Sequence, residues 1–279
     1  MLYDKQIGIN SLSAVITNHK LLHKFYGFYK VGILLKYLTS LIHQPRRSPS
    51  FKKKKDKMLT KIILQRYEWG ILIGLLILSF VPSIGGMFRL ADLQPGVDID
   101  FLPKNPRIDS APTPVLFHLI TVIPYCILGA FQFLPSFRKN YRKWHRNSGK
   151  ALVVAGIISA LSGLWMTHYY AFPISLQGNL LYYVRVIIGV SMFVFIVLGY
   201  VSIRERKFSQ HQSWMIRAYA LGQGAGTQVF VMLPWVITTG EPEGFIRDVL
   251  MTVAWIINIW VAEWIINKNR TKRVSTQSL

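Results

Sequence analysis

Six apolar segments constrain the fold of this chain more than any other feature. They cover approximately residues 69–88, 114–135, 150–169, 180–201, 213–238 and 248–266. An α-helix rises about 1.5 Å per residue, so about 20 apolar residues cross the hydrocarbon core of a bilayer. A helix also satisfies its own backbone hydrogen bonds there, where water is absent. The segments therefore predict an all-α fold, a polytopic membrane bundle with six transmembrane helices.

The charge pattern predicts how the bundle is oriented. The chain carries 33 Lys and Arg against 12 Asp and Glu, a net charge of +21, which in a soluble protein would indicate a nucleic-acid partner. Here the basic residues lie at the ends of apolar segments, and the mean hydropathy is +0.31, so we exclude nucleic acid. The second and fourth connections and the C-terminal tail are rich in Lys and Arg, whereas the other connections are poor in them. The positive-inside rule then places both termini in the cytoplasm, with a basic face that attracts anionic lipids.

The first 57 residues differ from the remainder. They contain 12 Lys and Arg and two acidic residues, and their apolar stretch, residues 31–43, is too short to span a bilayer. We therefore predict two regions: a basic N-terminal tail, residues 1–57, and a six-helix transmembrane domain, residues 58–279. The tail is open to three interpretations: a basic amphipathic helix on anionic lipid, a disordered segment, or an upstream extension of a chain that begins at Met58.

Small residues predict where helices approach one another. Gly149, Gly156 and Gly163 lie seven residues apart on the third apolar segment, and a glycine-rich run occupies residues 222–228 of the fifth. Small residues on one stripe let membrane helices pack closely. The glycine-rich run follows no strand, so we interpret it as a helix-packing feature around a small polar patch and not as a phosphate-binding loop.

Four histidines at helix ends are candidate ligands. His118 and His168 lie towards the predicted outer side, and His145 and His211 lie at the predicted cytoplasmic side. Paired neutral imidazoles from neighbouring helices are what a b-type haem requires, although interfacial histidines also occur without any ligand. His145 and His168 are separated by about 34 Å of helix, which makes His168 the weakest candidate. We predict His145, His211 and His118 as metal ligands.

Further polar residues inside the spans suggest other functions. His118, Tyr125 and Gln132 share one face of the second helix, and Gln228 lies in the fifth. That stripe is consistent with a polar path or with a few interhelical hydrogen bonds. A buried arginine requires a partner, so we predict an ion pair between Arg217 and Glu263. Arg217 is also suited to a haem propionate or a lipid phosphate.

Several of these residues together resemble a known family. The sequence contains His118, then GAFQF at 129–133, HRNSGK at 145–150, Ser162-Gly163, and HQSWMIRAYA from His211. This pattern resembles the predicted bacterial membrane proteins that share domain of unknown function 2306, over approximately residues 118–228. The resemblance implies a multi-pass protein of the bacterial inner membrane, singles out His118, His145, His211 and Arg217, and implies no particular activity. More distantly, the arrangement is similar to haem-carrying bundles such as cytochrome b561, in architecture only.

These features lead to one functional hypothesis and two alternatives. The hypothesis is a membrane protein that binds haem b through paired histidines and passes electrons to an unidentified partner. The alternatives are a non-redox carrier or channel with a polar path along the second helix, and a scaffold without small-molecule chemistry. Cys126 is the single cysteine, which excludes an internal disulfide, and no hydrolase motif is present, so any enzymatic activity would be that of a membrane oxidoreductase.

Overall fold

The computed structural model describes residues 49–94, 96–97, 99–100, 102 and 105–277. Two units divide the chain, Met1–Ile63 and Leu64–Leu279, and the bundle presented below belongs to the second unit. Residues 1–48 of the predicted N-terminal tail lie outside the described residues, and so do the predictions made for them. Residues 49–57, which we assigned to the tail, already belong to the first helix.

The described residues form nine helices and no strand. In chain order they are α1 (Pro49–Asp92), α2 (Pro106–Ser110), α3 (Pro112–Gln132), α4 (Pro135–Asn140), α5 (Arg142–Tyr169), α6 (Asn179–Arg204), α7 (Phe208–Gly222), α8 (Gly224–Thr239) and α9 (Gly244–Gln277). The helices α1 (over Arg66–Asp92), α3, α5, α6 and α9 are each long and apolar enough to cross a membrane. The pair α7 and α8 adds a sixth span if the two helices, bent by 46°, count as one. The prediction of an all-helical membrane bundle is thus confirmed, with five or six spans.

Two helix boundaries extend well beyond the apolar segments that predicted them. The third segment was expected to begin at Lys150, but α5 begins eight residues earlier, at Arg142. The last segment was expected to end at Ile266, whereas α9 continues to Gln277. Hydropathy detects only the part of a helix that suits the hydrocarbon core, while the hydrogen-bonded helix continues into the headgroup zone with basic residues outward.

The core is formed mainly by α3, α5, α6 and α7, which pack in sequence, with α9 against α6, α7 and α8. Buried residues such as Leu152, Ile196 and Tyr219 contribute to one apolar cluster that also includes Leu72 of α1. Gly156, at the centre of the predicted glycine stripe of α5, faces this cluster. A Cβ at Gly156 would collide with the ring of Tyr125 and with Ile196, so the absence of a side chain there allows α3 and α6 to approach.

Candidate functional site

The helix expected over residues 213–238 is interrupted at its centre. Gln223 separates α7 from α8, and the two helices meet at 46°. Two of the flanking glycines have no room for a side chain: a Cβ at Gly224 would overlap the Trp255 indole, and one at Gly226 would overlap the backbone carbonyl of Leu78. Close contact with α9 and α1 therefore accompanies the break, and the glycine-rich run serves helix packing as predicted from its composition.

A buried hydrogen-bond network surrounds Gln223. Its Nε2 donates to the hydroxyl oxygens of Ser79, at 2.9 Å, and Tyr219, at 2.7 Å. The Tyr219 hydroxyl in turn donates to the carbonyl oxygen of Cys126, at 2.6 Å. The network thus links α1, α3 and the break between α7 and α8, where a buried amide without partners would be costly.

Side chains of α9 supply donors to the last turn of α7. The Asn258 amide donates to the Ala220 carbonyl at 3.0 Å, and the Trp255 indole N–H donates to the Leu221 carbonyl at 3.2 Å. The final carbonyls of a helix lack a continuing helical partner, and an interruption inside a bilayer is tolerated where neighbours satisfy them. Asn258 also accepts from the Thr227 hydroxyl at 2.7 Å, so α9 holds both sides of the break.

A central cavity of about 430 Å³ lies beside this break. The helices α1, α3, α5, α6 and α9 and the bent pair α7 and α8 all contribute to its lining, which is mostly apolar. The lining includes Ser83, Val122, Cys126, Ala160, Met166, Ile188, Met192, Gly222, Gln223, Ala225, Gln228, Met251 and Trp255. Ligand pockets in proteins have volumes of about 300–1,000 Å³ with mostly apolar walls and a few polar groups. The cavity falls in that class.

The cavity extends to the end of the bundle that the charge pattern predicts to be the outer one. Three connections meet there: the Tyr170 hydroxyl donates to the Ala111 carbonyl at 2.6 Å, and the Gly244 N–H donates to the Ser175 carbonyl at 2.8 Å. Arg107 and Arg185 both line the cavity at this end. The guanidinium carbons of Arg107 and Arg185 lie 4.5 Å and 5.2 Å from the centre of the Phe172 ring. Two arginine side chains thus line one end of a cavity whose walls are otherwise mostly apolar.

Asp248 is a buried carboxylate in the same region, and its side chain is 1% exposed. Its two oxygens accept hydrogen bonds from the backbone N–H groups of Gly178 and Leu181, each at 3.1 Å. These donors belong to the first turn of α6, where a helix leaves N–H groups unsatisfied and favours negative charge. Asp248 therefore fastens α9 to the start of α6.

The four predicted histidines separate into different environments. His118 lines the cavity, and its Nδ1 lies 3.0 Å from the Ser159 carbonyl oxygen, which can only accept, so this nitrogen carries a proton. His168 is exposed, and its Nδ1 lies 2.9 Å from the Tyr182 hydroxyl. The two outer histidines thus turn towards different partners and do not form a pair.

His145 and His211 lie at the opposite end of the bundle, close enough to interact electrostatically. The Nδ1 of His211 lies 2.8 Å from the Gly199 carbonyl, which fixes the proton on that nitrogen and leaves Nε2 free in the neutral ring. The Nδ1 of His145 is buried and has no hydrogen-bond partner among the described residues. These two imidazoles are the predicted pair that the fold brings into one neighbourhood.

His118, His145 and His211 stay predicted metal ligands, but His118 lies far from the other two. Ser159, the partner of His118 on α5, lies 14 residues past His145, about 21 Å along the helix. Among the described residues, no group of three or more His, Cys, Asp or Glu side chains could hold a metal ion. His118 therefore cannot join His145 and His211 at one ion.

The polar stripe of α3 faces α5. Gln132 Nε2 donates to the Ser148 hydroxyl at 2.8 Å, and the Tyr125 ring packs on Gly156. Tyr125 and Gln132 do not line the cavity, whereas His118 and Gln228 do. Tyr125 and Gln132 thus make interhelical contacts, one of the two interpretations that the sequence left open, while His118 and Gln228 face the cavity.

Arg217 and Glu263 come together. Arg217 Nε lies 2.5 Å from Glu263 Oε1, and a second guanidinium nitrogen donates to Oε2 at 2.8 Å. The Arg217 guanidinium also stands 4.9 Å from the centre of the Trp214 ring. Arg217, which was also considered as a partner for a propionate or a lipid phosphate, has a carboxylate partner in the protein.

The sequence-based prediction did not include Arg185 or Asp248 in the site. Arg185 lies inside the apolar segment of residues 180–201, and an ionisable residue within a span is by itself a signal of function. Applying that rule to every span would have found Arg185. No comparable local signal exists for Asp248, because its partners are backbone N–H groups about 70 residues earlier in the chain.

Comparison with known proteins adds one match. The sequence model of a family described as predicted membrane protein (DUF2306) matches residues 115–266. This range contains His118, His145, His211 and Arg217, so the resemblance inferred from the motifs is confirmed. No curated protein and no solved structure matches the chain.

Proposed function

We propose that this chain, which belongs to the DUF2306 family of predicted membrane proteins, binds a mostly apolar small molecule in its central cavity. The observation that carries the proposal is the cavity of about 430 Å³ beside a helix break inside the bundle. In membrane carriers, discontinuous helices near the bilayer midplane form substrate sites, because the broken backbone offers polar groups that a continuous helix conceals. A ligand-binding protein of the carrier type fits this arrangement best.

The lining supports a carrier more than a channel. A channel would need polar groups along a continuous path, whereas Tyr125 and Gln132 lie outside the cavity and contact α5. The polar groups that do face the cavity, among them His118, Gln223 and Gln228, are few beside its apolar side chains. A ligand would bury its apolar part against Val122, Ile188 and their neighbours, with a few polar contacts setting its orientation.

Native mass spectrometry of the full chain, released from a neutral detergent, tests ligand binding. The probe is decanol, a neutral molecule with an apolar chain and one hydroxyl. We expect the wild type to bind one decanol. Ala225→Trp places an indole in the cavity, since Ala225 lines it, and should reduce decanol binding by at least about tenfold, by steric exclusion.

Ala151→Trp is the matched control. Ala151 is exposed on α5 and does not line the cavity, so the same substitution there should leave decanol binding unchanged. Equal decanol binding by wild type and by Ala225→Trp would contradict the proposal, provided that both proteins remain monodisperse in detergent. Absence of decanol binding to the wild type would contradict it as well.

Haem b binding at His145 and His211 is a second candidate function. It is supported by the free Nε2 of His211, whose ring is oriented by Gly199, and by the unpartnered Nδ1 of His145. A carbonyl that orients a ligating histidine in this way is common at metal sites. Two features count against it: Arg217 is engaged by Glu263, and the space beside Gly156 of α5 is filled by the Tyr125 ring.

The visible absorption spectrum tests the haem candidate. Protein expressed with ample haem should show a Soret band and reduced b-type peaks, because two imidazoles would ligate the iron. His145→Ala and His211→Ala should each abolish or shift the bands, while His168→Ala, which changes an exposed ring, should not. A colourless but folded preparation would eliminate haem binding and electron transfer together.

The location and orientation of the protein complete the proposal. We place it in the bacterial inner membrane with both termini in the cytoplasm, because connections rich in Lys and Arg alternate along the chain with connections that contain few of them. Arg138, Lys139, Arg142 and Lys143 then face the cytoplasmic leaflet. Basic side chains at that surface attract anionic lipids by about 1 kcal/mol each.

A further inference from the structure

We propose that the cavity ligand is an anionic amphiphile whose carboxylate or phosphate group binds between Arg107 and Arg185. This inference rests on the proposed function, because it identifies the chemical class of the ligand that the cavity takes. It depends on an excess of positive charge at one end of the cavity, where no carboxylate among the described residues forms an ion pair with Arg107 or Arg185.

Three guanidinium groups contribute to this excess. Arg185 has unfavourable electrostatic interactions with Arg247 and Arg107, and a favourable one with Asp248. The guanidinium of Arg185 is largely enclosed by protein, so solvent screens these interactions weakly. Burial also lowers the pKa of Arg107 from its ordinary value, yet a guanidinium remains cationic at neutral pH. Placing like charges together in low dielectric is unfavourable unless an anion joins them.

The protein supplies little compensating charge. Among the described residues, Asp248 is the carboxylate that interacts favourably with Arg185, and both its oxygens already accept backbone N–H groups at the start of α6. Asp92 forms its ion pair with Arg89. Among the described residues, no carboxylate forms an ion pair with Arg107, Arg185 or Arg247.

The hydrogen bonds that these arginines make within the protein go to uncharged acceptors, and one buried N–H group has no acceptor among the described residues. Arg185 donates to the Gln177 side-chain oxygen, at 2.5 Å, and makes a long contact with the Met251 sulfur. Arg107 Nε donates to the Asn105 side-chain oxygen at 2.9 Å. The Nε of Arg247 is buried without a hydrogen-bond partner among the described residues. Each guanidinium has five N–H donors, so donors remain for a bidentate anion.

The guanidinium groups of Arg107 and Arg185 both contact the Phe172 ring. Because the guanidinium carbons of Arg107 and Arg185 lie 4.5 Å and 5.2 Å from the same ring centre, they are at most about 10 Å apart. Both side chains line the cavity, together with Phe172. We place the carboxylate or phosphate of the ligand at this end, beside the two guanidinium groups, while its apolar chain extends towards Met192 and Trp255. Such a ligand matches the two halves of the cavity, one cationic and one apolar.

The experiment compares probes that share one apolar chain and differ in their head group. Decanoate and decyl phosphate are anionic, and decanol is neutral. Native mass spectrometry on the full chain measures the apparent affinity of each probe. We expect the wild type to bind at least one anionic probe about tenfold or more tightly than decanol, because hydrogen bonds to charged groups are stronger than neutral ones.

Variants of Arg107 and Arg185 test whether these two side chains cause the preference for an anionic head group. Arg185→Gln and Arg107→Gln should each reduce anion affinity by about tenfold and leave decanol affinity unchanged. Arg185→Lys should retain part of the preference, because lysine keeps the charge but loses the bidentate fork. Arg142→Gln, an exposed arginine at the opposite end of the bundle, should change nothing. Ala225→Trp should reduce binding of all three probes, because the apolar chain occupies the cavity.

The outcomes separate this inference from the proposed function. Decanol binding that Ala225→Trp blocks, with no preference for either anion in the wild type, would overturn the anion site and leave the cavity ligand in place. A preference that survives both Arg107→Gln and Arg185→Gln, or that Arg142→Gln removes equally, would also overturn the anion site. Anion binding that Ala225→Trp does not reduce would overturn both proposals.

Discussion

The ion pair between Arg217 and Glu263 provides the most quantitative prediction. The pair is bidentate, and the arginine side chain is 22% exposed against 39% for the glutamate. Arg217→Ala leaves a carboxylate without its partner in a helical bundle that we place in a membrane. We expect Arg217→Ala to destabilise the protein, and Glu263→Ala added to it to restore part of the loss, because the double variant leaves no unpaired charge.

The magnitude follows from the degree of burial. Exposed ion pairs couple by about 0.2–1 kcal/mol, and removing one partner of a buried pair costs about 3–5 kcal/mol. This pair lies between those limits, because water reaches Glu263 and reduces the cost of leaving it alone. We expect Arg217→Ala to cost about 2.5 kcal/mol, including about 0.5–1 kcal/mol for the contact with the Trp214 ring. Glu263→Ala should cost about 1.5 kcal/mol and the double variant about 2 kcal/mol.

The assay is equilibrium unfolding of the four proteins in mixed micelles by titration with sodium dodecyl sulfate. The free energies form a double-mutant cycle, whose interaction term isolates the coupling of the pair. Lys207 and Glu205 provide a control cycle, since their side chains are 55% and 49% exposed although the ion pair is short, at 2.7 Å. That control should couple by no more than about 0.5 kcal/mol.

Additive costs in the Arg217 and Glu263 cycle would refute the reasoning. Additivity would mean that the two side chains do not interact in the folded protein, and Arg217 would then be available to an anionic ligand. Arg217→Lys refines the test, because lysine keeps the charge but loses the bidentate fork. It should recover some, though not all, of the stability lost in Arg217→Ala.

Two further predictions concern packing and topology. Gly226→Ala should cost about 1–3 kcal/mol in the same unfolding assay, because the added Cβ meets the Leu78 backbone, which cannot move aside as a side chain does. Gly74→Ala, where nothing lies within 4 Å, should be neutral or slightly stabilising, and equal costs at the two glycines would contradict the packing model. Reporters fused after Phe208 and after Leu279 should report the cytoplasm and one after Gly178 the outside; a cytoplasmic signal after Gly178 would exclude the predicted orientation.

The class of fold could be predicted from the sequence because the relevant physics is local. Each apolar segment must satisfy its backbone within itself in a bilayer, so hydropathy alone identified α1, α3, α5, α6 and α9 as membrane-crossing helices. The glycine stripe likewise indicated close packing, and the fold places Gly156 against Tyr125 as such a stripe requires. The pairing of Arg217 with Glu263 followed from the cost of an isolated charge in a span and from their similar predicted depth.

The candidate site depended on contacts that no local pattern records. Residues 213–238 have the hydropathy of one continuous span, and only the side chains packed around Gln223 reveal where it breaks. Helix length already made His168 the weakest candidate ligand, but only tertiary packing placed His118 at the cavity and His168 on the surface.

The sequence by itself thus determined that this chain is a helical membrane protein, which segments are apolar and long enough to cross a bilayer, and that Arg217 needed a partner. The tertiary structure alone decided that Arg185, Arg107 and Phe172 meet at one end of an apolar cavity, and that Asp248 is committed to the start of α6. Hydropathy and charge are properties of single residues and their neighbours in the chain. A cavity is the space that several helices leave between them, and the shape of this one depends on side chains separated by as many as 176 residues in the chain.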